Sequence, residues 1–373
     1  MIAFPVGYYK FHKNQVYNFQ LNRWYSLGLF KFEDIKNIGS SIKTFNDWVI
    51  AMVGLARKAE DEGRLLNAAF YYRAAEFYTM NGDKPGKDYY YDKFINLFYD
   101  AIEGEEFERL SVPYGPGYLP VIRMVANGEQ KGTLLIHGGF DSFIEEWFYM
   151  MKFIAMNGFE VIGFEGPGQG NVIIKQGIPL DYRWEKPVKA VLDYLKIKES
   201  SLFGLSMGGW FCLRAAAFEP RIKNIIADGH ATDYSRIPPP FARGLMLFFI
   251  NRMREYSRKS IDKQAAKRDM HSWQINNLAH ITQKPPLEAF EYSLNLNEEN
   301  LHCEKITQNV LYITGKNDHF IPFKMHDRQL MLLTNAKSIT ERVFTRKDNA
   351  QNHCQVGNIQ LLLDVVCTWL KSI

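Results

Sequence analysis

A chain of 373 residues, 46% hydrophobic and 23% charged, has the make-up of a soluble globular protein, with material for roughly two domains of about 150 residues. Its 45 basic and 41 acidic residues nearly cancel, leaving +4, and no Lys/Arg block marks a nucleic-acid footprint. Residues 1–10 hold no long apolar run and no small-residue cleavage site, and the apolar run at 245–250 is far too short to span a bilayer, so a cytoplasmic protein with no nucleic-acid and no membrane partner is expected.

Up to about residue 105 the pattern is helical. Trp48, Met52, Leu55 and Ala59 recur at helical spacing, residues 68–78 continue it, Asp83-Lys84-Pro85-Gly86 breaks it, and residues 93–102 resume it. The tyrosine and phenylalanine stripes read as core, and no repeat recurs at a fixed period. Residues 1–105 are therefore expected to form a helical N-terminal domain, placed to cover the active site of the 106–373 domain.

At Phe107 the texture changes. Residues 108–113 and 119–126 predict two strands joined by the turn Tyr114-Gly115-Pro116-Gly117. Residues 132–136 are a short apolar strand of the kind buried in a parallel sheet, ending in His137-Gly138-Gly139-Phe140. A helix (144–156), a strand (159–164) and the loop Glu165-Gly166-Pro167-Gly168-Gln169-Gly170 follow. Next come a helix (187–196), a strand (202–205), a helix (207–218) and a strand (222–227). The alternation stops over about 232–300, an aromatic-rich helical insertion read as a cap. It resumes with a strand at 309–314, a helix, a strand at 338–344 and a last helix reaching residue 370. Strands alternating with helices imply an α/β fold with a mostly parallel, doubly wound sheet.

The chemistry-bearing stretch is Gly204-Leu205-Ser206-Met207-Gly208, lying between a strand and a helix. This is a nucleophile elbow, a turn so tight that small residues must flank the serine by two positions. Asp318 follows a buried strand and His353 lies in a loop between the last strand and the last helix. The order serine, acid, histidine is that of an α/β-hydrolase. Ser206 is expected to be the nucleophile, His353 its general base and then acid, and Asp318 the group that fixes the histidine tautomer. The oxyanion needs two donors: the Met207 N–H is one, and the Phe140 N–H is favoured for the other, with Gly139 second. His137 is read as bracing that loop, His319 as a loop neighbour, and Asp141 and Glu145 as a helix N-cap and first-turn carboxylate.

Gly166-Pro167-Gly168-Gln169-Gly170 lacks the Lys-Ser/Thr ending of a phosphate loop and reads as a tight connection beside the active site. Residues 252–268 are locally basic and read as a solvated helix face. Cys212, Cys303, Cys354 and Cys367 lack metal-site or redox spacing, which points to a reduced compartment and no zinc. The expectation is a cofactor-free, metal-free enzyme.

From about Phe107 onward the chain resembles the α/β-hydrolase superfamily. His137-Gly138-Gly139-Phe140-Asp141, the 165–170 loop, the 204–208 elbow and Asn352-His353-Cys354-Gln355-Val356-Gly357-Asn358 resemble the FrsA-like branch, which includes pseudooxynicotine hydrolase and fungal hydrolases that shorten polyketides. The resemblance implies a Ser-Asp-His site between a helical N-terminal domain and the sheet and, in several members, cleavage of a C–C bond beside a ketone. Some members add an acidic residue near the cap; Asp228 and Asp233 lie nearby without matching it. The expected substrate is a small carbonyl compound, apolar or aromatic: a β-diketone or polyketide-like ketone, or an ester or lactone. Acyl transfer and a non-catalytic binding role stay open, as does oligomeric state, homodimer included.

Overall fold

The computed structural model describes residues 2–80 and 82–373; Met1 and Asn81 lie outside the described residues. Five helices come first: α1 (Gln15–Ser26), the short α2 (Phe32–Ile35), α3 (Phe45–Asp61), α4 (Leu65–Tyr78) and α5 (Lys87–Ala101). A capping box between Thr44 and Asp47 starts α3. Every α4 residue from Ala68 to Tyr78 is buried, so that helix is apolar and aromatic on all faces. α5 begins at Lys87, not at residue 93: the run Tyr89-Tyr90-Tyr91 hides the helical period, because only Tyr90 and Tyr91 of the three turn inward.

The sheet then builds from β1 (Glu108–Tyr114), β2 (Gly117–Met124) and β3 (Gly132–His137). α6 (Phe148–Met156), β4 (Phe159–Phe164), the short α7 (Gly170–Ile174), α8 (Glu185–Tyr194) and β5 (Ser200–Leu205) follow. α9 (Met207–Ala216) leads to β6 (Ile222–Asp228). Residues 144–147 form a tight helical turn ahead of α6 where one continuous helix was expected.

The insertion folds as α10 (Pro240–Arg252), α11 (Arg254–Ala265), α12 (Met270–Thr282), α13 (Pro286–Ser293) and the short α14 (Glu298–Leu301). β7 (Asn309–Gly315), α15 (Lys324–Leu332), β8 (Ser338–Phe344) and α16 (Ile359–Ser372) complete the chain.

All eight strands join one sheet in the order β1-β2-β4-β3-β5-β6-β7-β8. β2 runs antiparallel to β1 and β4, and every pairing from β4 to β8 is parallel. Side chains alternate between the two faces, as strand geometry requires. Leu134 and Ile136 join a core that also holds α1, α3, α4, α6 and α16, while Leu135 joins one with α8 and α9. The N-terminal helices thus share a single core with one face of the sheet.

The strand order reverses at β3. Register pairs His137 with Gly204, so the loop leaving β3 and the turn leaving β5 emerge side by side. Crevices at such reversals, outside the carboxyl ends of the strands, are where open α/β sheets bind ligands.

Candidate active site

Ser206 sits between β5 and α9 at φ 59°, ψ −130°, a conformation that costs of order 1–3 kcal/mol for a residue with a Cβ. The neighbours explain how it persists. A Cβ on Gly204 would lie 2.0 Å from the Gly208 carbonyl oxygen, and one on Gly208 would lie 2.7 Å from the Gly138 oxygen. The turn closes only because both flanking positions lack side chains. It leaves the hydroxyl above the sheet at the start of α9, where the first N–H groups have no intrahelical acceptor.

The structure brings the three predicted side chains together. His353 Nε2 lies 2.9 Å from Ser206 Oγ, and His353 Nδ1 lies 2.6 Å from Asp318 Oδ2. The other Asp318 oxygen accepts the N–H groups of Phe320 (2.8 Å) and Ile321 (2.9 Å), which aims the carboxylate. The two loops are tied together: the Asn317 N–H donates to the Gln351 carbonyl at 2.8 Å. Burial opposes a charge on His353, but the Asp318 carboxylate outweighs it and raises the imidazole pKa well above 6.5. Phe19 of α1 packs against His319 and Phe320 and reaches the His353 ring. Burial holds His319 down to about pKa 4, and among the described residues its Nε2 has no hydrogen-bond partner.

The loop after β3 lies on the elbow. A Cβ on Gly139 would fall 2.5 Å from the Met207 Cβ. Gln169 holds the far side of this loop: its Nε2 donates to the carbonyls of Gly138 (2.8 Å) and Gly139 (3.0 Å), and its Oε1 accepts the Gly166 N–H at 2.9 Å. Carbonyl and N–H point opposite ways across a trans peptide. Capturing the Gly138 and Gly139 carbonyls therefore turns the N–H groups of Gly139 and Phe140, the two candidate donors, away from Gln169. The 165–170 loop is thus the tight connection its sequence suggested, and Gln169 is its working residue. His137 is fully buried, bonds the Gly138 carbonyl at 3.0 Å and is kept neutral by burial, with a pKa near 4, which fits a bracing role.

Asp141 is not a helix cap, contrary to the sequence reading. Its carboxylate pairs with Arg23 of α1 at 3.1 Å, and the turn at 144–147 is closed by Glu146 instead. An ion pair reached across the fold wins over a local cap. Glu146, fully buried, also receives Arg23 (2.8 Å) and Arg73 of α4 (2.9 Å), and Arg73 donates to the Asp141 carbonyl and to Glu76. Sequence reasoning missed Arg23, Arg73 and Glu146; no local signal marks them. Glu145 does lie in the first turn, as expected. It accepts from Tyr99 at 3.1 Å, and burial lifts it to about 7; burial, then Glu145 itself, lifts Glu165 to about 8.

Asp228, at the end of β6, is completely buried beside Gln355, without a hydrogen bond of good geometry among the described residues; burial pushes its carboxyl up to about 7 against the opposing pull of His353. Asp233 caps a turn through the Ser235 N–H (2.8 Å) and pairs with Arg236, so it does not enter the site. The four cysteines are free thiols, and Cys354 reaches the cavity.

Ser206 and His353 open onto a cavity of about 860 Å³. Phe19 and Arg23 close it from the N-terminal helices, and Phe249 and Trp273 from the insertion. Among the described residues no cluster of three His, Cys, Asp or Glu could hold a metal, and no helix is long and apolar enough to cross a membrane.

Residues 134–328 match the family profile for the alpha/beta hydrolase fold, and the chain belongs to that family. It is 27% identical over 256 residues to hydrolase acrC of Aspergillus aculeatus, covering 59% of this chain and 57% of that one. To alpha/beta hydrolase psoB of Aspergillus fumigatus it is 32% identical over 231 residues, covering 52% and 51%. The chain thus spans about half the length of the curated relatives it matches. The crystal structure of 2,6-dihydroxy-pseudo-oxynicotine hydrolase superposes with a TM-score of 0.67 at 19% identity, covering 95% of both chains. The fungal hydrolases among these relatives fit the branch resemblance drawn from the sequence motifs.

Proposed function

We propose that this protein is a serine hydrolase acting on an apolar carbonyl compound. The observation that carries the proposal is the unbroken relay from Asp318 through His353 to Ser206, at 2.6 and 2.9 Å, on the floor of a large aromatic-walled cavity. Ser206 Oγ attacks the carbonyl carbon while His353 Nε2 takes its proton. The Phe140 and Met207 N–H groups receive the oxyanion; one such donor is worth about 10²–10³ in rate. Collapse breaks the bond to the leaving group, which takes the proton from His353. Water, deprotonated by His353, then attacks the acyl-enzyme and releases the carboxylic acid.

The favoured leaving group is the carbon of a stabilised enolate, as from a β-diketone or polyketide-like ketone, in keeping with the resemblance to C–C hydrolases. The same residues serve an ester or lactone, whose alkoxide leaves without needing a stabilised carbanion. Turnover of aryl esters and of β-diketones, each measured for wild type and Ser206→Ala, separates the two. Failure of a fluorophosphonate to label Ser206 in the folded protein would refute the hydrolase reading itself.

A further inference from the structure

α10 contradicts the usual logic of an apolar helix. Phe241, Leu245, Met246, Phe248, Phe249 and Ile250 give it apolar character all round, yet Ile250 is its single buried residue. Such a helix normally lies inside a core. The structure shows two apolar faces. Met246, Phe249 and Ile250 line the cavity above Ser206. Phe241, Leu245 and Phe248, spaced to share one face, stand outward at 83%, 46% and 53% exposure. Tyr256 of α11 packs against Phe249 at 5.6 Å, lines the cavity and is itself 60% exposed, so the cavity reaches the surface at the α10–α11 junction.

The charge around this face is one-sided. Residues 240–268 hold eight basic and two acidic residues, a net +6 against +4 for the whole chain, which leaves the remainder at −2. Arg254 and Arg258 are engaged by Glu288 and Glu291. Among the described residues Arg252, Lys259 and Lys263 meet no carboxylate. Arg252 falls at the end of the Phe241–Leu245–Phe248 stripe, and Lys259 and Lys263 share a face of α11 with Tyr256 at spacings of three and seven. The basic stretch, read from sequence as a solvated helix face, also borders exposed phenylalanines.

We infer that the α10–α11 face is a docking surface for an anionic lipid bilayer, with Phe241, Leu245 and Phe248 entering the headgroup–acyl boundary and Arg252, Lys259 and Lys263 meeting the anionic headgroups. Surface-bound amphipathic helices combine these features: apolar area for insertion, and cations worth about 1 kcal/mol each near an anionic leaflet. That no helix among the described residues is long and apolar enough to span is no obstacle, since a docking helix lies in the interface. A second copy of this chain is a poorer occupant, because a two-fold contact would set two like-charged surfaces face to face. Docking here places the mouth of the cavity against the phase in which an apolar substrate dissolves.

The test is co-sedimentation of the full chain with phosphatidylcholine vesicles, with and without phosphatidylglycerol. Binding to the anionic vesicles, weakened by salt and much lower on neutral ones, is expected. The triple variant Phe241→Ser, Leu245→Ser, Phe248→Ser, with wild-type thermal melting as its fold check, is expected to bind at least about tenfold more weakly. Should it melt early, Lys259→Glu with Lys263→Glu serves instead, with loss confined to anionic vesicles. No binding to anionic vesicles overturns the inference, as does equal binding to neutral ones. Unchanged binding by the variants also overturns it, and a concentration-dependent dimer that the triple variant abolishes assigns the face to a second copy.

Discussion

Replacing Arg73 tests whether the N-terminal helices hold the catalytic loop. The Arg73 side chain is 1% exposed, and its guanidinium packs 3.9 Å from the Phe143 ring centroid. It bonds Glu146, Glu76 and the Asp141 carbonyl, while Glu146 also keeps Arg23 and Glu76 also keeps Lys87. In the native protein Arg23, Arg73 and Lys87 balance Glu76, Asp141 and Glu146. Arg73→Met preserves most of the stem's packing but leaves this cluster with one uncompensated buried negative charge. Breaking a buried pair costs about 3–5 kcal/mol, and the surviving Arg23 and Lys87 contacts place this case near the lower end, about 3 kcal/mol. Against a total stability of about 5–15 kcal/mol the variant still folds, with a clearly lower denaturant midpoint. The loop at 138–141 then keeps its Gln169 anchor and the Arg23–Asp141 pair and loses the Arg73 hold on its Asp141 carbonyl. A shift of about 1 Å in an oxyanion donor costs up to about 10²-fold, so fluorophosphonate labelling of Ser206 should slow by roughly ten- to a hundredfold. Arg73→Lys, which keeps the charge but cannot reach all three acceptors, should recover stability more than labelling rate. If Arg73→Met unfolds and labels like wild type, the coupling between α4 and the catalytic loop is wrong.

Ser206→Ala and His353→Ala should each lower turnover by about 10⁴–10⁶, and the double variant should be no worse than either, since the proposed mechanism uses the pair as a unit; additive losses in steady-state kinetics would break that reading. Because Asp318 raises the His353 pKa, His353 in its proposed role as base is protonated and idle at low pH: kcat/KM should fall with decreasing pH through a midpoint above 6.5. Asp318→Asn removes that attraction, so the midpoint should move to lower pH as the rate falls; an unmoved acid limb would exclude Asp318 as its cause. Burial pushes the Asp228 carboxyl up to about 7 in the fold against 3.8 in the unfolded chain, so its ionisation costs nothing well below pH 3.8 and the folded state loses progressively more stability up to about pH 7. Asp228→Asn should therefore stabilise the protein by an amount that grows with pH, to a ceiling of about 4 kcal/mol at pH 8. Equal denaturant midpoint gains at pH 4 and pH 8 would refute this.

Much of this protein was legible along the chain. The strands at 159–164 and 338–344 were read to the residue, because four- to eight-residue apolar or β-branched runs between turn signals have few other solutions. The elbow was legible for a steric reason confined to five residues: nothing larger than glycine fits at Gly204 and Gly208. Asp318 and His353 could be named because chain order and position after strands restrict the candidates. The tertiary structure alone decided what those side chains rest on. Arg73 meets Glu146 across 73 positions and the Asp141 carbonyl across 68, and a lone arginine in an aromatic helix carries no periodic mark of either contact. Burial makes those charges consequential, and burial is a property of the packed whole. The same holds for α10, whose residues spell a core helix and whose placement leaves half of them facing outward. Sequence determines what short-range sterics and periodicity dictate; which face meets a partner, and which charge loses its water, depends on segments distant in the chain arriving at one place.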